Sequence, residues 1–296
     1  MRSYRFWIGI IVSLLFFGIL VYRIDLGDIV DNLRVANYFY IVPAIILYFI
    51  SVWFRTLRWQ LLLAPMKNVP VRRLYPVVIV GYMANNLLPV RLGELVRSYY
   101  LGHREGVSKS AGLATILVER VFDGLTLLFF LFLSSLALPF RSIVQALAND
   151  AGVPALTLIL AATVPFIVVL TFFLTAAYLP YRALRVTHRV VQMLPERFGA
   201  ATMHLIERFV DGLQLLRYPR KLALVFLLSI PVWAMEAAMY YVIGHSFGIL
   251  EYFSSHWIMA IAILVTTSTA NLGTSIPASP GGVGPFEFFS IATLVI

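Results

Sequence analysis

A chain of 296 residues that is 60% hydrophobic and only 12% charged cannot hide its apolar surface in one soluble core, because soluble domains carry roughly 25% charged residues. The formal net charge of +9 does not point to nucleic acid: the basic residues sit between apolar runs, where they set topology and meet anionic headgroups. With no cysteine there is no disulfide and no thiolate chemistry, and no cofactor or metal site is expected.

The predicted architecture is all-α: a polytopic transmembrane helical bundle of six to eight spans with two broken or re-entrant segments, forming a single integral membrane domain over residues 1–296. Arg2 and Arg5 precede the apolar run Phe6–Tyr22, which is long for a signal peptide and has no small-residue cleavage site after it. It reads as an uncleaved first span with a cytoplasmic N-terminus in the cell membrane. Asp25–Arg34 follows as a short amphipathic helix with Leu26, Ile29, Val30 and Leu33 on one face, suited to the outer interface. The second span is Tyr38–Leu63. Arg55 and Arg58 lie near its inner end beside Trp53 and Trp59, where snorkelling anchors are the plain reading and a binding role the sharper one.

The next apolar segment, Tyr75–Pro89, is too short for an ordinary span. Full crossing would strand Arg91, Arg97, Arg104 and Lys109 outside, so it is predicted to dip in and return. Asn85 and Asn86 can satisfy backbone groups freed by Pro89 and Gly93. Arg91, Glu94 and Arg97 recur every third residue and form one charged helical stripe, either a solvated inner face or a set of phosphate-binding forks.

Ser110–Leu138 is the next span. Glu119 lies ten residues past Lys109, about 15 Å into the bilayer. Glu119 and Asp123 share a helix face and Arg120 reaches Asp123 at i,i+3. Ionisable groups at such depth mark a pathway or a neutralised lock between helices. Pro154–Leu179 is a further span, and the loop Pro180–Lys221 carries eight Lys/Arg and one or two basic amphipathic helices expected on the inner surface. A short echo, VERVFDGLTLL at Val118–Leu128 and IERFVDGLQLL at Ile206–Leu216, carries no functional weight.

Leu222–Phe247 holds Glu236 at mid-span, a pathway carboxylate or a partner for Arg120. His256–Ile276 carries the polar run Thr266–Asn271, in which Asn271 faces a cavity or the hydroxyls bond their own backbone. Pro277, Pro280 and Pro285 with Gly281, Gly282 and Gly284 then preclude a continuous helix. Irregular backbone survives in a membrane only when buried in protein or lining a cavity, so this break is either an anion-binding nest followed by a half-helix from Pro285, or a plain surface turn. The terminal stretch ends eleven residues past Pro285, too few to cross, so the last span is expected to be incomplete or a half-helix. Pro89, Gly93 and Glu94 echo Pro280, Gly284 and Glu287, and paired interruptions of this kind point to a transporter site with the two breaks face to face.

RTLRW at Arg55–Trp59, NNLLPVRLGE at Asn85–Glu94, LVERVFD at Leu117–Asp123 and PASPGGVGPFE at Pro277–Glu287 occur in an order and spacing that cover nearly the whole chain. In these motifs the chain resembles the membrane domain of the lysylphosphatidylglycerol synthase/flippase proteins, the multiple peptide resistance factor family, and their stand-alone flippase-like relatives. The resemblance implies a helical domain that moves phospholipid, typically aminoacylated phosphatidylglycerol, between leaflets. It also implies that the re-entrant elements and the buried Glu/Arg/Asp group border the lipid path. The sequence shows no aminoacyltransferase domain, so synthase activity is not expected.

The expected function is therefore lipid translocation, with an anionic or aminoacylated phospholipid as substrate, membrane lipids as surroundings and a homo-oligomer compatible with the sequence. Arg91, Arg97 and Arg120 are expected to hold phosphate, with Glu94, Glu119 and Asp123 compensating. No ATP-binding loop is present, so an ion or lipid gradient would drive movement. The alternative is a membrane-embedded lipid-linked transferase that uses Asp25, Asp28 and Asp31.

Overall fold

The computed structural model describes residues 26–87, 92–137, 145, 148–149, 152–181, 184–185, 196–274 and 285–294. The predicted first span, Arg91 and the break with Gly281 and Gly282 lie outside these residues. Among the described residues ten α-helices follow one another: α1 Leu26–Val35, α2 Ile41–Leu63, α3 Val71–Leu87, α4 Gly93–Glu105, α5 Lys109–Ser134, α6 Ala155–Tyr178, α7 Glu196–Gly212, α8 Pro219–Ser246, α9 His256–Gly273 and α10 Pro285–Leu294. The protein is an all-α membrane bundle. Tyr38–Leu63, α6, α8 and α9 are long and apolar enough to cross a bilayer. Helix α5, at 26 residues, is also long enough, but Glu119, Arg120 and Asp123 interrupt its hydropathy.

Helix α5 is the hub, packing on α2, α4, α6, α7, α8 and α9. Helices α2 and α8 run antiparallel. Asn37 N–H donates to Ser246 O at 2.9 Å at one end, and Ser51 Oγ to Val232 O at 3.0 Å nearer the middle. Helix α6 has only 6% of its most apolar stretch buried and presents the rest to lipid. The amphipathic helix α7 ends with Gly212 against Ala111 and Ala114 at the start of α5. Helix α1 leaves Val30 and Leu33 half-exposed.

Two helical hairpins enter this frame from opposite ends. In the first, Arg73 of α3 approaches Glu105 of α4, Gly81 packs on Arg97, and Gly93 packs on Gly81 and Asn85, so α4 returns along α3. Its base is tied to the α2–α3 turn by Lys67, whose Nζ lies 3.4 Å from a Glu105 carboxylate oxygen. With Lys109 close by, this is the basic end of the bundle. Gly106, at φ 69°, closes α4 in the left-handed conformation that glycine adopts without strain. At 13 residues α4 is about 20 Å long, too short to cross and long enough to reach mid-bundle.

The second hairpin starts from the other end, where His256 at the head of α9 stacks on His245 at the tail of α8, ring centroids 5.5 Å apart. Helix α10 returns along α9: Gly273 faces Phe289, and the Thr269 and Thr293 hydroxyls lie 2.8 Å apart. The predicted helix from Pro285 is thus present as far as Leu294, paired antiparallel with α9. The hydroxyls of Thr266, Thr267, Ser268 and Thr269 donate to carbonyls three or four residues back, so most of this polar run is absorbed by its own helix.

The first hairpin depends on close backbone approach. A Cβ on Gly93 would lie 2.2 Å from Gly81 O and 2.6 Å from Asn85 N, and backbone cannot swing aside as a side chain can. Gly93→Ala is expected to destabilise the protein by about 1–3 kcal/mol or more, read as a lower unfolding midpoint in detergent. An unchanged midpoint would contradict the hairpin packing.

Candidate functional site

Eight ionised side chains from four helices meet between the hairpins and divide into two tiers. The inner tier is buried. Arg58, with no exposed surface, donates from Nη1 to Asp123 Oδ1 at 2.7 Å and Ser229 Oγ at 2.6 Å, and from Nη2 to Glu119 Oε1 at 3.0 Å. Arg97 lies over the Trp59 ring, 3.8 Å from its centroid, and brings Nη2 within 3.0 Å of Glu119 Oε2. That contact is a close charge pair without hydrogen-bond alignment, and the Nε atoms of Arg58 and Arg97 are also without partners. Trp233 Nε1 donates to Asp123 Oδ1 at 3.0 Å. The tier joins α2, α4, α5 and α8.

The outer tier faces a cavity. Arg120 Nε donates to Glu94 Oε1 at 2.7 Å, and its Nη1 lies 3.5 Å from Asp123 Oδ2. Arg55 bonds the Glu236 carboxylate, donates to the Tyr82 hydroxyl at 2.8 Å, and lies over the rings of Tyr82 and Trp233. Side-chain exposure runs from 28% for Arg120, 18% for Glu94 and 15% for Glu236 down to 0% for Arg58 and 1% for Glu119, with Arg55 at 7% close to Asp123 at 5%.

The cavity measures about 560 Å³, within the roughly 300–1,000 Å³ usual for small-molecule sites. Asn85, Asn86 and Glu94 from the tip of the first hairpin line one side. Asn271, Thr274, Phe286 and Glu287 from the second line another, so the two tips share one space. Arg55, Arg120, Asp123 and Glu236 contribute the charged floor, with Tyr48, Tyr82, Trp233, Tyr240 and Phe166 as aromatic lining.

Several sequence expectations are corrected here. Arg55 and Arg58 are not interfacial anchors; both are buried, because α8, α3 and α5 pack around this end of α2 and supply their partners. Glu236 pairs with Arg55, not Arg120. The stripe on α4 is not a solvated face, since Arg97 is buried against Trp59. Arg97 therefore does not line the cavity where phosphate was expected to bind, and neither does Glu119, which stands behind the wall. The i,i+3 pairing of Arg120 with Asp123 is as expected. Asn86, Asn271 and Glu287 reach the cavity, while Tyr48, Tyr82 and Phe166 enter it unanticipated. Their signal was absent because an aromatic residue on a membrane helix is equally suited to lipid.

The chain belongs to the family described as the lysylphosphatidylglycerol synthase TM region, which matches residues 6–296. It is 28% identical over 295 residues to a UPF0104 membrane protein of Methanothermobacter thermautotrophicus, covering 94% of this chain and 81% of that one. It is also 26% identical over 211 residues to a UPF0104 membrane protein of Methanocaldococcus jannaschii, covering 71% and 78%. With the glycosyltransferase AglD of Haloferax volcanii it shares 24% identity over 304 residues, 94% of this chain and 47% of that protein. No solved structure matches.

Proposed function

We propose that the protein moves phospholipid between membrane leaflets, its cavity carrying the headgroup while the acyl chains stay in lipid. The supporting observation is the charged cavity at mid-bundle, bounded by the tips of two hairpins that start from opposite ends. Ionised groups held there favour a route for something polar, because a purely structural bundle gains nothing from keeping water-accessible charge at that depth. Arg120 offers its Nη2 to a phosphate while Glu94 and Asp123 hold the rest of the fork. Interrupted helices in the two halves of a chain favour the same reading. In this account the chain lies in the cell membrane with its N-terminus and basic end cytoplasmic.

A second reading, a membrane-embedded lipid-linked transferase, draws on the similarity to a protein named as a glycosyltransferase. One experiment separates the two. Purified protein in liposomes with labelled anionic or aminoacylated phosphatidylglycerol is expected to exchange the label between leaflets above protein-free liposomes, with the lipid recovered chemically intact. Exchange no faster than in empty liposomes contradicts transport, and a chemically altered lipid favours the transferase.

A further inference from the structure

The charged and neutral groups of the cavity differ in how well they are satisfied. Arg55 and Arg120 are both engaged by carboxylates, and Asp123 additionally accepts from Trp233. On the described wall, carboxylates outnumber arginines four to two, counting Glu94, Asp123, Glu236 and Glu287 against Arg55 and Arg120. By contrast, the side chains of Tyr48, Asn85, Asn86 and Tyr240 line the same space and make no hydrogen bond to any described residue. The Oδ1 of Asn85 is fully buried without a partner. That oxygen packs beside Gly93, while the side chains of Tyr48 and Asn86 stand exposed at the cavity.

Each arginine on this wall is held by a carboxylate, so a phosphate reaches only the free Nη2 of Arg120, and the charged groups leave the rest of the headgroup unspecified. What stands unused is neutral: two amides and two phenols, each able both to donate and to accept. Beside them are aromatic faces, with Tyr240 of α8 and Phe286 of α10 tilted together at 5.6 Å between centroids. A sugar has the matching chemistry, since its hydroxyls exchange donors and acceptors with amides and phenols while its C–H face lies on an aromatic ring.

We propose that the headgroup seated in this cavity is a glycosyl group. The proposal rests on reading the cavity as a lipid-headgroup site, and it specifies the part of the headgroup that the neutral side chains hold. The carrier is either a glycerolipid or a polyprenyl phosphate.

The test is calorimetric titration of the full chain in detergent with short-chain lipids of three kinds. These are a glycosyl-diacylglycerol, a polyprenyl-phosphate sugar, and sugar-free phosphatidylglycerol with its lysyl ester. At least one sugar-bearing lipid is expected to bind tenfold or more tighter than both sugar-free ones, and which one identifies the carrier. Asn86→Leu and Tyr240→Phe are each expected to reduce that preference several-fold with the unfolding midpoint unchanged. Equal or tighter binding of the sugar-free lipids overturns the proposal, as does a preference untouched by both variants. Leaflet exchange measured on the same panel is judged separately. Preferential sugar binding without exchange contradicts transport alone, and exchange without sugar preference contradicts the glycosyl headgroup alone.

Discussion

Arg58→Ala is expected to cost about 3–5 kcal/mol of stability, the range for removing one partner of a buried ion pair. The loss arises because Glu119 stays behind fully buried and Asp123 nearly so, each deprived of a bond of 3.0 Å or shorter. Ser229, whose hydroxyl accepts from Arg58 at 2.6 Å, keeps only its bond to Val225 O. The unfolding midpoint in detergent should fall by on the order of 10 °C. Arg58→Met combined with Asp123→Asn should recover much of this, because Glu119 then keeps Arg97 as its partner and no carboxylate of the inner tier is left unpaired. A single variant as stable as the parent would mean the inner tier is not the lock between α2, α5 and α8 that its geometry describes.

Arg120→Gln is expected to behave in the opposite way. Its side chain is 28% exposed to the cavity and its partner Glu94 18%, so the carboxylate left behind can be hydrated and the midpoint should move by only a few degrees. Leaflet exchange should nevertheless fall tenfold or more, which corresponds to about 1.4 kcal/mol or more at the rate-limiting step. Arg120→Lys should retain part of the activity, since an ammonium keeps the charge but loses the fork that holds Glu94 and Asp123 together. The contrast between positions 58 and 120 separates groups that hold the bundle from groups that face its cargo. Normal exchange by Arg120→Gln would remove the outer tier from the transport path.

The apolar helices were legible in the sequence because about 20 consecutive apolar residues leave few alternatives. The pairing of Arg120 with Asp123 was legible because helix geometry brings i,i+3 neighbours together. The cross-helix pairs were not: Arg58 lies 65 residues from Asp123 and Arg55 lies 181 from Glu236, and only packing reveals such distances. Helix α4 explains the largest misreading. Its return leg carries Glu94, Arg97, His103, Arg104 and Glu105, so hydropathy treats it as surface. Its buried face instead presents Gly93, Arg97, Ser98 and Leu101 to α3 and α5. Arg55 and Arg58 are interior groups for a separate reason, that α8, α3 and α5 pack around their end of α2. The paired breaks at Pro89–Glu94 and Pro280–Glu287 were read as facing each other, and the flanking residues Asn86, Glu94, Asn271 and Glu287 do line one cavity.

The arrangement of a charged cavity between hairpins from opposite ends has a direct test, made simple by a chain without cysteine. Single cysteines at Arg73, Arg104 and Tyr252, all exposed positions, are labelled in sealed vesicles with a thiol reagent that cannot cross the membrane. The account predicts that Arg73→Cys and Arg104→Cys react from the same side and Tyr252→Cys only from the other. Labelling of Arg104→Cys from the side that labels Tyr252→Cys would mean that the segment after Arg73 crosses completely, and the cavity as described would not exist.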